Sequence, residues 1–242
     1  MPTRFRARSL VLVVLLTAAT AMVYQFSVVS ALIFIMGDSI LLFSVFTGVF
    51  LLSMGVGSVL GARPTAAMDI SFIRVQFSLA ALGLAALPLV FCLFAASEYA
   101  RRRGITLPQP AVVFTFWANG LLIDFLFGVL TGMQLPLLAG LFRTLRLQDR
   151  SLASLLGFDY LGSFVGALAF PLLLFPSLGL FRTVFLASLI NTTTALLSSA
   201  LLEQRRSRSV WTAAVLAALA LVAFLTSHTL EHAVDYFVYG DR

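Results

Sequence analysis

The chain reads as long apolar runs separated by short polar intervals. A strand is a handful of residues long, and an unpaired strand cannot survive in lipid, so runs of roughly twenty or more apolar residues predict membrane-spanning helices. Seven are expected, over about 9–36, 39–61, 70–97, 111–142, 152–176, 180–202 and 209–229, each long enough for a span of ~20 residues. Gly37-Asp38 makes a tight turn between the first two, and Phe175-Pro176 ends the fifth. A polar, partly amphipathic tail follows, TLEHAVDYFVYGDR. The expected class is all-α: a polytopic helix bundle over residues 1–229, with 230–242 as a junction to a soluble domain.

Composition identifies the solvent. Hydrophobic residues make up 60% of the 242, charged residues only 11%, and mean hydropathy is +1.03. A water-soluble domain of this size needs more charge to cover its surface. All 16 basic residues are arginines, and they cluster between the runs. The net charge of +6 therefore reflects loop arginines near headgroups. No basic stripe interleaves with aromatics, so a nucleic-acid partner is not expected.

Arginine placement sets an expected orientation. With the N-terminus inside, arginines 4, 6, 8, 63, 74, 143, 146, 150, 205, 206 and 208 are cytoplasmic, against 101–103, 182 and 242 outside: eleven to five. The first run, from Leu10 to Met36, exceeds the ~7–15 residues of a signal-peptide core and reads as a retained span. Seven spans from an inside start put the C-terminus outside, and the Arg101–Arg103 cluster lies on the unfavoured side. The lone cysteine, Cys92, falls in an apolar run without metal-ligand neighbours and is expected to be buried and inert.

Small residues recur at spacing four: Gly57/Gly61, Gly128/Gly132 and Gly162/Gly166. Such pairs let helix backbones approach closely, and tight packing is their expected role. Several helices also carry a polar stripe. Thr17, Thr20, Tyr24 and Ser27 share a face of the first. Trp117, Gly120, Asp124, Gly128 and Thr131 do so in the fourth, Asp159, Gly162, Ser163 and Gly166 in the fifth, and Ser188, Asn191, Thr194 and Ser198 in the sixth. These faces belong inside a bundle, where they bond across helices or line a wet cavity.

Asp124 is the most informative position. It lies mid-run in FWANGLLIDFLFGVLTGMQL, where an acid costs ~3 kcal/mol to insert. It is either protonated and bonded to Asn119, Gln134 or a serine, reached by water, or met by a cation. Asp159 lies nearer a membrane face, where a helix cap or an arginine partner competes with a ligand role. Gln25, Asn119, Gln134 and Asn191 are interhelical glue or substrate contacts.

The segments TAATAMVYQ, LLSMGVGSVLGARP, GMQLPLLAGLF and GFDYLGSFVGALAFPLLLFPSLGLFRT, the last followed by Asn191, in this order resemble the membrane domain of multipass bacterial spermidine synthases. That family of polyamine aminopropyltransferases carries about seven membrane helices ahead of a soluble catalytic domain, and the closing YGDR resembles the junction. No single motif is diagnostic; the order and spacing of all of them carry the resemblance. GVGSVLGAR and the Gly162/Gly166 helix are distantly similar to the first half of a major-facilitator transporter. The family's Rossmann-like GGGDG-type loop and catalytic aspartate have no counterpart here, so no catalytic residue, metal or cofactor is assigned to these residues, and they are not expected to transfer an aminopropyl group alone. Decarboxylated S-adenosylmethionine would belong to the catalytic domain, attached in cis or acting in trans.

The resemblance implies polyamines, putrescine or spermidine, as ligands. Flexible polycations call for separated carboxylates and aromatic faces in a low dielectric. Asp124 and Asp159 would supply the charge, and Tyr160, Tyr24 and Trp117 the π faces. Three roles stay open: a domain that binds or moves polyamines for a synthase, an inert anchor and oligomerisation module, and a free-standing transporter half working as a dimer. Each implies a multi-pass protein of the cell inner membrane, with lipid and further copies of the chain as partners.

Overall fold

A computed structural model describes residues 3–63, 68–105, 108–144, 152–201 and 211–226. The expected tail, 230–242, lies outside them. Among the described residues the chain is helical, without strands. The helices are α1 (Thr3–Met36), α2 (Ser39–Gly61), α3 (Met68–Arg102), α4 (Gln109–Thr144), α5 (Leu152–Ala169), α6 (Phe175–Leu201) and a shorter apolar α7 (Trp211–Thr226).

Between α5 and α6 the helix widens into a π-helical turn, Phe170–Leu174. Pro171 at its start lacks the N–H that would continue the α pattern. The real reversal comes at Gly179, whose φ of 74° is left-handed backbone. The apolar stretch Ala153–Ala200, 48 residues, is therefore two passes. As one straight helix it would run about 72 Å, more than twice a bilayer core. Gly37 (φ 80°) and Gly104 (φ 75°) turn the chain after α1 and α3, so three glycine reversals share one end of the bundle.

Neighbouring contacts fix the helix directions. Gly162 and Gly166 of α5 meet Leu15, Ala18 and Ala19 of α1 in ascending order, so these two helices run parallel. Thr20 meets Asn191 and Tyr24 meets Ser188, so α6 runs antiparallel to α1. Gly57 and Gly61 lie on Val129 and Met133, so α2 and α4 run parallel. Phe94 packs on Phe116, while Gly83, earlier in α3, meets the Tyr24 ring that stacks on Phe127, later in α4, so α3 and α4 are antiparallel. The result is alternating passes around α1, the most buried span, 61% of whose apolar window is interior. The Arg182 guanidinium sits 5.9 Å from the Phe224 ring centroid, which places the last described turn of α7 at the glycine-turn end.

All six glycines of the three spaced pairs lie where an added Cβ would run into a neighbouring helix, mostly into backbone: Gly57 and Gly61 against α4, Gly128 and Gly132 against α2, and Gly162 and Gly166 against α1. At Gly61 the Met133 carbonyl oxygen would be 2.8 Å away. Close approach of this kind lets dispersion act between helices that gain nothing from excluding water.

Cys92 departs from expectation: it is exposed on the outer face of α3. The buried positions around it, Leu87, Val90 and Phe91, define the inward stripe, and Cys92 falls one residue beyond it.

Candidate functional site

The polar stripes of α1 and α6 meet. The Thr20 hydroxyl donates to Asn191 Oδ1 (2.9 Å), and Asn191 Nδ2 donates to the Tyr24 hydroxyl (3.2 Å). Tyr24 in turn donates to Ser188 Oγ (3.2 Å), which donates to the Val184 carbonyl (3.0 Å). The Tyr24 ring stacks on Phe127 of α4, with centroids 4.7 Å apart. Gly83 of α3 closes the third side, since a Cβ there would strike Ser188 Oγ and the Tyr24 ring. Tyr24 and Asn191 thus occupy a network in which each uses the other's polar atoms. On α1, Thr17 and Ser27 donate to their own helix carbonyls, Val14 and Val23. Gln25 reaches α2 instead, its Nε2 3.4 Å from Thr47 Oγ1.

Asp124 sits one turn above Phe127 on α4 and is fully buried. Neither carboxylate oxygen has a hydrogen-bond partner among the described residues. The same holds for Thr131 Oγ1 and Gln134 Nε2 on α4, for Asn119 Oδ1 on that helix, and for both amide atoms of Gln76 on α3. Gln76 on the first half of α3 and Gln134 on the second half of the antiparallel α4 both lie in the half of the bundle away from the glycine turns. Gln76 went unnoticed in the sequence, although a lone amide inside RVQFSLAALG was the signal for it.

Asp159 is half-buried on α5, and the adjacent Tyr160 is 68% exposed and faces outward. Asp159 precedes Gly162, which lies on Leu15, whereas Asp124 precedes Phe127, which lies on Tyr24. Measured along α1 the two acids are roughly 22 Å apart. The structure does not gather them around one short diamine.

Trp117 is half-buried and lines a cavity of about 750 Å³ at the glycine-turn end of the bundle. The α1–α2 turn, the last turns of α3 and the first turns of α4 enclose it, with Asp38, Glu98, Phe94 and Phe116 in its wall. Asp38 also caps α2, its Oδ1 accepting from the Leu41 N–H at 3.3 Å. Glu98 pairs with Arg101 at 2.7 Å. Sequence reading found Trp117 but missed this enclosure, because residues from four helices meet there only after folding. Among the described residues no group of histidines, cysteines and acids is placed to hold a metal.

No family model and no solved structure matches the chain. Curated relatives do. A polyamine aminopropyltransferase 2 of Ralstonia nicotianae is 31% identical over 96% of this chain and 44% of its own length. A polyamine aminopropyltransferase 2 of Streptomyces coelicolor is 32% identical over 94% of this chain and 41% of its own length. A polyamine aminopropyltransferase of Mycobacterium tuberculosis is 29% identical over 93% of this chain. The chain spans less than half the length of the curated relatives it matches. The resemblance read from the sequence therefore holds along almost all of the chain.

Proposed function

We propose that this chain, homologous along its helices to part of the polyamine aminopropyltransferases, is the membrane domain of such an enzyme and receives a linear polyamine, putrescine or spermidine, inside its bundle. Aminopropyl transfer itself, with decarboxylated S-adenosylmethionine, belongs in this reading to a catalytic domain in cis or in trans. The helices hold that domain at the cell inner membrane, with the N-terminus cytoplasmic, and further copies of the chain are partners in the bilayer.

One observation carries the reading: the Asp124 carboxyl group lies wholly inside the bundle with neither oxygen hydrogen-bonded among the described residues. An intramembrane acid is costly, and its usual compensation is a function. An inert anchor has no use for it. Of the arginines in the described spans, Arg8, Arg74, Arg101 and Arg102 stand near helix ends, and Arg182, closer to Asp124 in depth, lays its guanidinium over the Phe224 ring of α7. An ammonium group is the complementary charge, and a low dielectric strengthens the contact. Asp159, roughly 22 Å away along α1, is not part of this site.

Calorimetry on the purified chain tests this with putrescine and spermidine at low and high salt. The parent binds, and Asp124→Asn weakens binding by more than tenfold, as expected when a desolvated charge loses its partner at ~2–5 kcal/mol. A parent that does not bind, or Asn variants at both 124 and 159 that bind like the parent, would leave the anchor as the better reading.

A further inference from the structure

The cavity at the glycine-turn end lies on the same α4 face as Asp124 and directly above it. Trp117, in the cavity wall, precedes Asp124 by two helical turns, about 10 Å. Between them is Gly120. A Cβ on Gly120 would meet Leu32 Cδ1 and, at 3.0 Å, Phe46 Cζ. Both of these side chains are fully buried. Leu32 and Phe46 therefore form an apolar plug seated on Gly120, with the cavity on one side and the buried carboxyl on the other. Phe46 also packs against Trp117, with centroids 5.8 Å apart, so plug and cavity wall touch.

The chemistry of the cavity is asymmetric. Its deep wall is aromatic and aliphatic: Phe94, Phe116, Trp117 and Leu42. Its polar groups include Asp38, Glu98 and Arg101. Arg101 neutralises Glu98 and is itself 69% exposed, leaning outward. Asp38 has a backbone N–H as its described partner, so the enclosure carries a net negative charge. A guest that suits it has methylene segments to lie on the aromatic wall and ammonium groups for Asp38 and for the π faces. That alternation of alkyl and ammonium is the chemistry of a linear polyamine. An anion meets the uncompensated Asp38 carboxylate, and an apolar guest leaves it unused.

We infer that this cavity is the receiving vestibule for the polyamine, open at the end of the bundle opposite the N-terminus, and that the Leu32–Phe46 plug separates it from Asp124. The inference rests on the polyamine reading of the preceding subsection, and it supplies what the separation of Asp124 from Asp159 removed, a second acidic position on the Asp124 side.

The chain has two tryptophans, Trp117 and Trp211, and Trp211 is 71% exposed on α7. Trp211→Phe leaves Trp117 as the sole indole reporter. The test titrates putrescine and spermidine into this variant in lipid nanodiscs, following emission and, in parallel, heat. Butylamine and succinate serve as the one-charge and opposite-charge controls. Polyamines are expected to shift Trp117 emission saturably, with a midpoint equal to the calorimetric one, and succinate to leave it unmoved. Asp38→Asn retains the helix cap and removes the charge. It and Glu98→Gln are each expected to raise the midpoint about twofold to fivefold, the size of an exposed charge contact.

Calorimetric binding with a silent Trp117 and no effect of Asp38→Asn or Glu98→Gln overturns the vestibule and leaves the Asp124 reading standing. A Trp117 response that depends on Asp38 but not on Asp124→Asn does the reverse. Absence of both heat and emission change removes both.

Discussion

The Tyr24 hydroxyl donates to Ser188 Oγ across the α1–α6 interface at 3.2 Å, and Gly83 of α3 leaves just enough room for that pair. Tyr24→Phe removes one donor and leaves Asn191 Nδ2 without its acceptor, at an expected cost of about 0.6–1.7 kcal/mol, the range of interhelical bonds in lipid. Gly83→Ala drives a methyl into the same pair and should cost more, about 1–3 kcal/mol. Reversible unfolding in mixed micelles measures both. Equal stability of parent and Gly83→Ala would mean that α3 does not approach α1 and α6 as described.

Glycines inside and outside the α2–α4 contact should behave oppositely. Gly132→Leu forces α4 off Met54 of α2 and is expected to destabilise the bundle or prevent its assembly. Gly48 and Gly55 of α2 have open space around them, so Gly48→Leu and Gly55→Leu should be neutral or stabilising. Thermal inactivation of purified variants separates the two groups.

Asp124→Leu exchanges an unpartnered buried carboxyl for an apolar side chain with the same branching and number of heavy atoms. It is expected to stabilise the folded chain by about 1–3 kcal/mol, because the unsatisfied group no longer has to be buried. The same change should abolish polyamine binding. Loss of stability instead would reveal a partner for Asp124 and make it structural.

Orientation can be read with single cysteines in a Cys92→Ser background. Ala62 and Ile105 are exposed at opposite ends of the bundle. With the N-terminus cytoplasmic, a membrane-impermeant maleimide added to whole cells should label Ile105→Cys and spare Ala62→Cys. The opposite pattern inverts the bundle and turns the proposed vestibule toward the cytosol.

The sequence by itself determined the solvent, the helices and their turns. Apolar runs near bilayer length leave no choice but helix, and Gly37 marks a reversal that left-handed backbone makes, whereas the reversal expected at Phe175-Pro176 lies at Gly179, because the helix continues through the π-helical turn. The spacing-four glycines announced close contacts because periodicity places both members on one face. The sequence also marked Asp124, since the cost of an acid in lipid depends on depth, and depth follows from position along the run. Tertiary structure alone decided which faces meet. Asp124 and Asp159 both lie on polar stripes that could face one cavity, yet α5 lies parallel to α1 and α4 antiparallel, which leaves Asp124 mid-bundle and Asp159 roughly 22 Å away towards the other end of α1. Cys92 lies outside because the inward stripe of α3 passes one residue to its side, a rotation fixed by packing on α4 and α6. The cavity beside Trp117 has the same origin: four helix ends build it, and no spacing within a single helix encodes a volume shared by four.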